Sequence, residues 1–339
     1  MLFATRKVTL ISPKANHHSA QADDHSREAR LSLLPKGAFP SKGVFMYELI
    51  QIITAIIYGL VEGITEWLPV SSTGHLILLD EFLSFSFAPD APFTAEFCEM
   101  FEVVIQLGAI LAVVVTYFSR LWPLSPKKEK SENARIWKLW FKVLVASVPA
   151  ALAGIVFDKI LEKISGKDID GWLYNAPVVV AALIIYGIFF ILIEKYNKKS
   201  AVIESVDDIS FRHAFLIGIF QMLAIIPGTS RSGSTILGSM LIGLSRTAAA
   251  EFSVFMAIPA MAGASAIKAL GFFSYVSERG VDVPAIAWAV LAVGAAVAFV
   301  VSMVSIKFLT DFVKKHSFIP FGVYRIILGA ALIVWFIVK

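Results

Sequence analysis

Gly59-Leu-Val-Glu62-Gly-Ile-Thr-Glu66-Trp-Leu-Pro69-Val-Ser71-Ser72-Thr73-Gly74-His75 lies between two strongly apolar runs. It carries two carboxylates, three adjacent hydroxyl residues and an imidazole. At membrane depth such groups are costly, and where they occur they usually serve function. A second stretch of the same character, Pro227-Gly-Thr229-Ser230-Arg231-Ser232-Gly233-Ser234-Thr235, stands in the other half of the chain.

The surroundings fix the solvent. Of 339 residues, 57% are hydrophobic, and the mean hydropathy is +0.75. Soluble domains are about 45–50% apolar, so the chain is an integral membrane protein. Runs of about 20 apolar residues, the length of a helical span, recur from about residue 47. They do not alternate as the strands of a membrane barrel would. One cysteine, Cys98, excludes an internal disulfide and a Cys-based metal site. The basic residues fall in separate loops, which argues against a nucleic-acid partner.

Residues 1–45 are polar, lack an apolar period and read as a disordered extension. Residues 46–339 read as a single polytopic membrane domain. Full spans are expected at about 101–118, 139–157, 176–194, 251–271, 285–306 and 318–338. Two broken pairs, about 47–66 with 74–83 and 211–226 with 233–244, read as re-entrant helix-loop-helix units. Irregular backbone at that depth is tolerated only where protein or water surrounds it. The expected fold is therefore all-α: about six transmembrane helices plus two re-entrant pairs.

Loop charge orients this scheme. Loops 119–142, 195–212 and 307–316 are rich in Lys and Arg, whereas loop 80–100 has none and carries Asp80, Glu81, Asp90, Glu96 and Glu99. The first three are expected in the cytoplasm. The first broken pair then enters from outside and the second from within. Halves of about 46–195 and 196–339 form an inverted-topology repeat, and Gly59…Glu62 in one resembles Gly218…Gln221 in the other. Interrupted helices at matching positions place a binding site where the halves meet.

Each loop feeds the N-terminus of a short helix. Ser71, Ser72 or Thr73 can cap the first, and Ser230 or Ser232 the second. Converging helix N-termini favour an anion, and Arg231 adds a fork suited to phosphate. Glu62 and Glu66, spaced i, i+4, share one helix face. They suit general acid/base work or a divalent ion chelated together with phosphate oxygens. His75 can shuttle a proton or attack phosphorus. Carboxylates facing an anion cradle point to phosphoryl chemistry.

The motifs Glu62-Gly-Ile-Thr-Glu66…Pro69-Val-Ser-Ser-Thr-Gly-His75 and Pro227-Gly-Thr-Ser-Arg-Ser-Gly-Ser-Thr235 resemble those of the undecaprenyl-diphosphatase (bacitracin-resistance) family. Phe101-Glu-Val-Val-Ile-Gln-Leu-Gly108 and Ser317-Phe-Ile-Pro-Phe321 are also similar to it. The likeness covers about 46–339. It implies hydrolysis of undecaprenyl diphosphate to undecaprenyl phosphate and inorganic phosphate, which recycles the lipid carrier of peptidoglycan and other envelope polymers. It further implies a bacterial cytoplasmic membrane, a site open to the outer side, and dependence on Mg²⁺ or Ca²⁺. Carried over by position, the site comprises Glu62, Glu66, Ser72, His75, Ser230, Arg231 and Thr235. Ser71, Thr73 and Ser232 join the candidate substrate-binding groups, and Glu62 and Glu66 are the candidate metal ligands. The attacking atom is left open among Ser72, His75 and water, and a homodimer is left open too. The rival class is a secondary transporter of an anion or lipid phosphate.

Overall fold

The structure, a computed structural model, describes residues 42–87, 90–125, 128–166, 172–173, 175–197 and 201–338. Residues 1–41 of the expected extension lie outside the described residues. Residues 42–45 belong to the first turn of a helix, four residues before the boundary expected from sequence.

Twelve α-helices follow in order among the described residues. The first half contains α1 (Lys42–Thr65), α2 (Ser72–Asp80), α3 (Ala91–Val104), α4 (Gln106–Thr116), the single turn α5 (Phe118–Leu121), α6 (Lys130–Ser165) and α7 (Ala176–Tyr196). The second contains α8 (Phe211–Met222), α9 (Arg231–Leu241), α10 (Arg246–Arg279), α11 (Ala285–Lys315) and α12 (Ile319–Val338). An isolated bridge between Ile203 and Leu244 is the sole extended pairing among the described residues.

Seven segments are long and apolar enough to cross a membrane: 43–65, 91–116 (α3 running into α4), 130–165, 176–196, 246–279, 285–315 and 319–338. Six overlap the expected spans, though 91–116 begins ten residues early, within the expected loop 80–100, and 130–165 and 246–279 extend well past theirs. The seventh is α1, whose extra N-terminal turn brings it to spanning length; its sequence reading made it half of a broken pair.

Local signals set the helix ends. Asp90, Asn175, Ser210 and Ser245 each cap a helix by accepting from the N–H three residues on. Gly166 and Gly280 end α6 and α10 in the left-handed conformation. Without water, a long helix satisfies its own backbone, so these spans need only side-chain contacts to associate.

Both broken units are hairpins that return to the end they left. Tyr47 near the start of α1 donates through its hydroxyl to Ser86 O at 2.5 Å, and Ser86 N donates to Gln51 Oε1 at 3.2 Å. In the second unit Asn197, before α8, donates to Met240 O at 3.0 Å, and Ser245 N donates to Ile203 O at 2.8 Å. The second end also gathers Arg120 paired with Glu251, and Lys142 donating to Asp207 O. The two hairpins thus open at opposite ends of the molecule.

The halves interlock. Helix α1 packs along α11, and α8 packs along α6, so the leading helix of each half lies on a span of the other. Glycine makes both approaches possible. A Cβ on Gly59 would stand 2.6 Å from Gly294 O, and one on Gly218 would stand 2.3 Å from Ala146 O. Helices α7 and α12 cross at Gly187 and Gly322, whose added Cβ atoms would each meet the other's carbonyl at 2.7 Å. Close backbone approach of this kind is how helices associate without a hydrophobic driving force. The interlock brings the tips of both hairpins together.

Candidate functional site

Ser71 and Ser230 begin the site. They are the non-glycine residues with positive φ among those described, at 74° and 70°. Each is the N-cap of a short helix, with its Oγ accepting from Gly74 N at 3.4 Å or Gly233 N at 3.1 Å. A side chain at such φ costs free energy and persists where the surroundings enforce it, as at ligand sites. Below each cap, the first-turn N–H groups of α2 and α9 have no helical acceptor.

The hairpin tips meet through Glu66 and Arg231. Arg231 Nη2 donates to Glu66 Oε1 at 3.1 Å, and Ser72 Oγ donates to Glu66 Oε2 at 2.9 Å. Arg231 Nη1 donates to Ser253 O at 2.7 Å. Thr235 Oγ1 lies 2.7 Å from Ser253 Oγ and donates to Arg231 O at 2.9 Å. Ser232 Oγ lies 3.1 Å from Ser230 Oγ and reaches Glu66 O at 3.4 Å. A small pocket of about 10 Å³, room for a water, opens here. Glu66, Ser72, Thr73, Ser230 and Arg231 line it, with Gly228 and Met261 among its walls.

The remaining expected residues stand behind this pocket. Thr235 and Ser232 are buried and hold the Arg231 turn. Ser71 shapes the loop. His75 is not in the lining: its Nδ1 lies 2.8 Å from Ser71 O, its Nε2 lies 2.6 Å from the Tyr324 hydroxyl, and its ring stacks on Tyr324. Glu62 is fully buried, and neither carboxylate oxygen has a hydrogen-bond partner. At the matching place in the second half, Gln221 is also buried with an unpartnered Oε1. Among the described residues no group of three or more His, Cys, Asp or Glu gathers as a metal cage.

Arg325 of α12 is the residue that sequence reasoning missed. It is fully buried. Its Nη2 donates to Gly228 O at 2.7 Å and Thr229 O at 3.0 Å, and its Nη1 donates to Pro69 O at 3.3 Å. One guanidinium therefore ties both hairpin tips together. Its partners are carbonyls rather than carboxylates, so its positive charge adds to that of Arg231 near the pocket. The available signal was its place in the apolar run Gly322-Val-Tyr-Arg-Ile-Ile-Leu, where a charge is expensive. Ser253 had no such signal, since serine in a span is common.

Comparison with known proteins settles the family. The model of the family described as "Bacitracin resistance protein BacA" matches residues 55–331. The chain belongs to the BacA family. Both hairpin tips, both short helices and Arg325 fall within the matched region of this BacA chain. The chain is similar to an "Undecaprenyl-diphosphatase" of Enterococcus faecalis, 51% identical over 280 residues, covering 82% of this chain and 95% of the relative. A protein of the same name from Lactiplantibacillus plantarum is 48% identical over 289 residues, covering 85% and 98%. "Undecaprenyl-diphosphatase 1" of Clostridioides difficile is 46% identical over 290 residues, covering 86% and 98%. The resemblance read from the two motifs is borne out, as is an all-α membrane protein with multiple spans.

Proposed function

We propose that this chain is the enzyme that hydrolyses undecaprenyl diphosphate to undecaprenyl phosphate and inorganic phosphate, recycling the lipid carrier of peptidoglycan and other envelope polymers. One observation carries the reading: Glu66 is held between Arg231 and the Ser72 hydroxyl where two capped helix N-termini meet. The family supplies the substrate, and this arrangement supplies chemistry suited to it.

The terminal phosphate enters against Arg231 and the free N–H groups of α2 and α9, with Ser230 and Thr73 beside it. Arg325 fixes the separation of the two tips. Ser72 Oγ, or a water in its place, attacks the terminal phosphorus while Glu66 takes the proton, a nucleophile–base contact of 2.9 Å. The bridging P–O bond breaks and undecaprenyl phosphate leaves; where Ser72 has attacked, water then hydrolyses the phosphoserine to inorganic phosphate and frees the hydroxyl. His75, anchored on Ser71 O, positions that loop and relays protons toward Tyr324.

The donor set fits a hard divalent cation, Mg²⁺ or Ca²⁺. Glu66 faces the pocket, and Glu62, one turn away, keeps two unpartnered oxygens. One or two carboxylates together with substrate phosphate oxygens are a usual set for such ions. The ion would neutralise charge on the phosphates. The hairpins are read as re-entrant in a bacterial cytoplasmic membrane, the first from outside and the second from within. The loop-charge asymmetry supports this orientation, and the reading has the site open to the outer side.

Phosphate release from undecaprenyl diphosphate in detergent micelles, with and without a chelator, tests the reading. Release that the chelator abolishes is expected. A transporter, the alternative that broken inverted hairpins also suit, would release none.

A further inference from the structure

At the end where Arg120 pairs with Glu251, two residues along α10 from the Ser253 that Arg231 holds, a second cavity of about 460 Å³ with none of the hairpin-tip residues in its lining lies between α4, α10 and α11. That is the size of a pocket for a small organic ligand. Helix α11 lines it with Met303, Lys307, Thr310 and Lys314, whose spacing puts all four on one face. Arg120 and Glu251 close the other side.

The charge balance is positive. Glu251 is already satisfied by Arg120. Lys314 pairs at 3.0 Å with Asp311, on the exposed surface. Lys307 makes no ion pair among the described residues. Beside the cations, α11 turns an apolar stripe outward: Val300, Val304 and Phe308 are exposed at i, i+4 and i+8. A cationic cavity with an exposed apolar stripe on the neighbouring face of the same helix matches an amphiphile whose head is an anion and whose tail is hydrocarbon.

We infer that this cavity binds the phosphate headgroup of an anionic glycerophospholipid, with an acyl chain lying along the Val300–Val304–Phe308 stripe. Basic pockets between spans on the cytoplasmic side are suited to such headgroups, and each nearby Lys or Arg strengthens the attraction. The Lys- and Arg-rich loops at this end place it by the anionic leaflet. The site is separate from the hydrolytic pocket and stands whether or not that pocket hydrolyses its proposed substrate.

The test uses the whole chain, purified in detergent and stripped of lipid. Phosphatidylglycerol and phosphatidylcholine with the same acyl chains are titrated, and bound lipid is counted by native mass spectrometry. Wild type is expected to prefer phosphatidylglycerol about tenfold or more. The K307Q/K314Q double variant, both positions exposed and outside the hydrolytic machinery, is expected to lose roughly fivefold per lysine. Its phosphate release in detergent should match wild type. Excess inorganic phosphate should leave the lipid bound. Equal binding of the two lipids, unchanged phosphatidylglycerol affinity in the double variant, or displacement by inorganic phosphate would each overturn the inference.

Discussion

Ser71 and Ser230 hold one backbone conformation in two halves of the chain, φ 74° and φ 70°, and each caps a short helix through the N–H of a glycine three residues on. The shared cap is a structural likeness between the two halves of the chain. It also sets up the first prediction. Ser→Gly at either position removes the side chain that opposes positive φ and costs only a few tenths of a kcal/mol as a cap. Ser→Ala keeps the backbone cost and loses the cap, about 1 kcal/mol. Thermal unfolding in detergent should therefore rank glycine at or near wild type and alanine below both.

Arg325 holds three carbonyls from both hairpin tips. Arg325→Met leaves those buried acceptors unpaired and should cost about 3 kcal/mol or more. Arg325→Lys restores the charge without the fork, so it should recover part of the stability and less of the phosphate release. Unfolding midpoints and initial rates, measured on the same samples, check this.

Gly228 turns the second loop at φ 87°, and a Cβ there would stand 2.5 Å from Val179 O. Gly228→Ala meets both a conformational and a steric penalty, together about 2 kcal/mol or more. A lowered unfolding midpoint with reduced phosphate release is expected.

Arg231 meets Glu66 and Ser253 through two different nitrogens. Arg231→Lys keeps a charge opposite Glu66 but cannot fork between them. Phosphate release should fall about a hundredfold or more, as when one preorganised donor is lost, with a far smaller change in the unfolding midpoint.

Much of this architecture is legible in the chain because the membrane makes polarity conspicuous. Pro69 and Pro227-Gly228 break apolar runs, so both hairpin tips can be placed from sequence alone. Glu62, Glu66 and Arg231 stand out because charge at depth is expensive. The lengths of α6 and α10 are not legible: apolar windows report the stretch that lipid demands, whereas both helices run on through polar turns. Proximity is also hidden. Nothing local tells that Thr235 grips Ser253, that Tyr324 meets His75, or that Arg325 reaches Pro69. Those contacts depend on how the halves interlock, which the glycines at 59, 187, 218 and 322 permit but do not announce.

The proposed working centre of the site is Glu66, joined to Arg231 and Ser72. The most direct measurement is inorganic phosphate released from undecaprenyl diphosphate by wild type and by Glu66→Gln, at matched expression and with unfolding curves recorded for both. Glutamine keeps the shape and can still meet Ser72, but it cannot take a proton. The expected result is release by wild type and a loss of about a hundredfold or more in a folded variant. Wild-type rates from the folded Glu66→Gln protein would contradict the account.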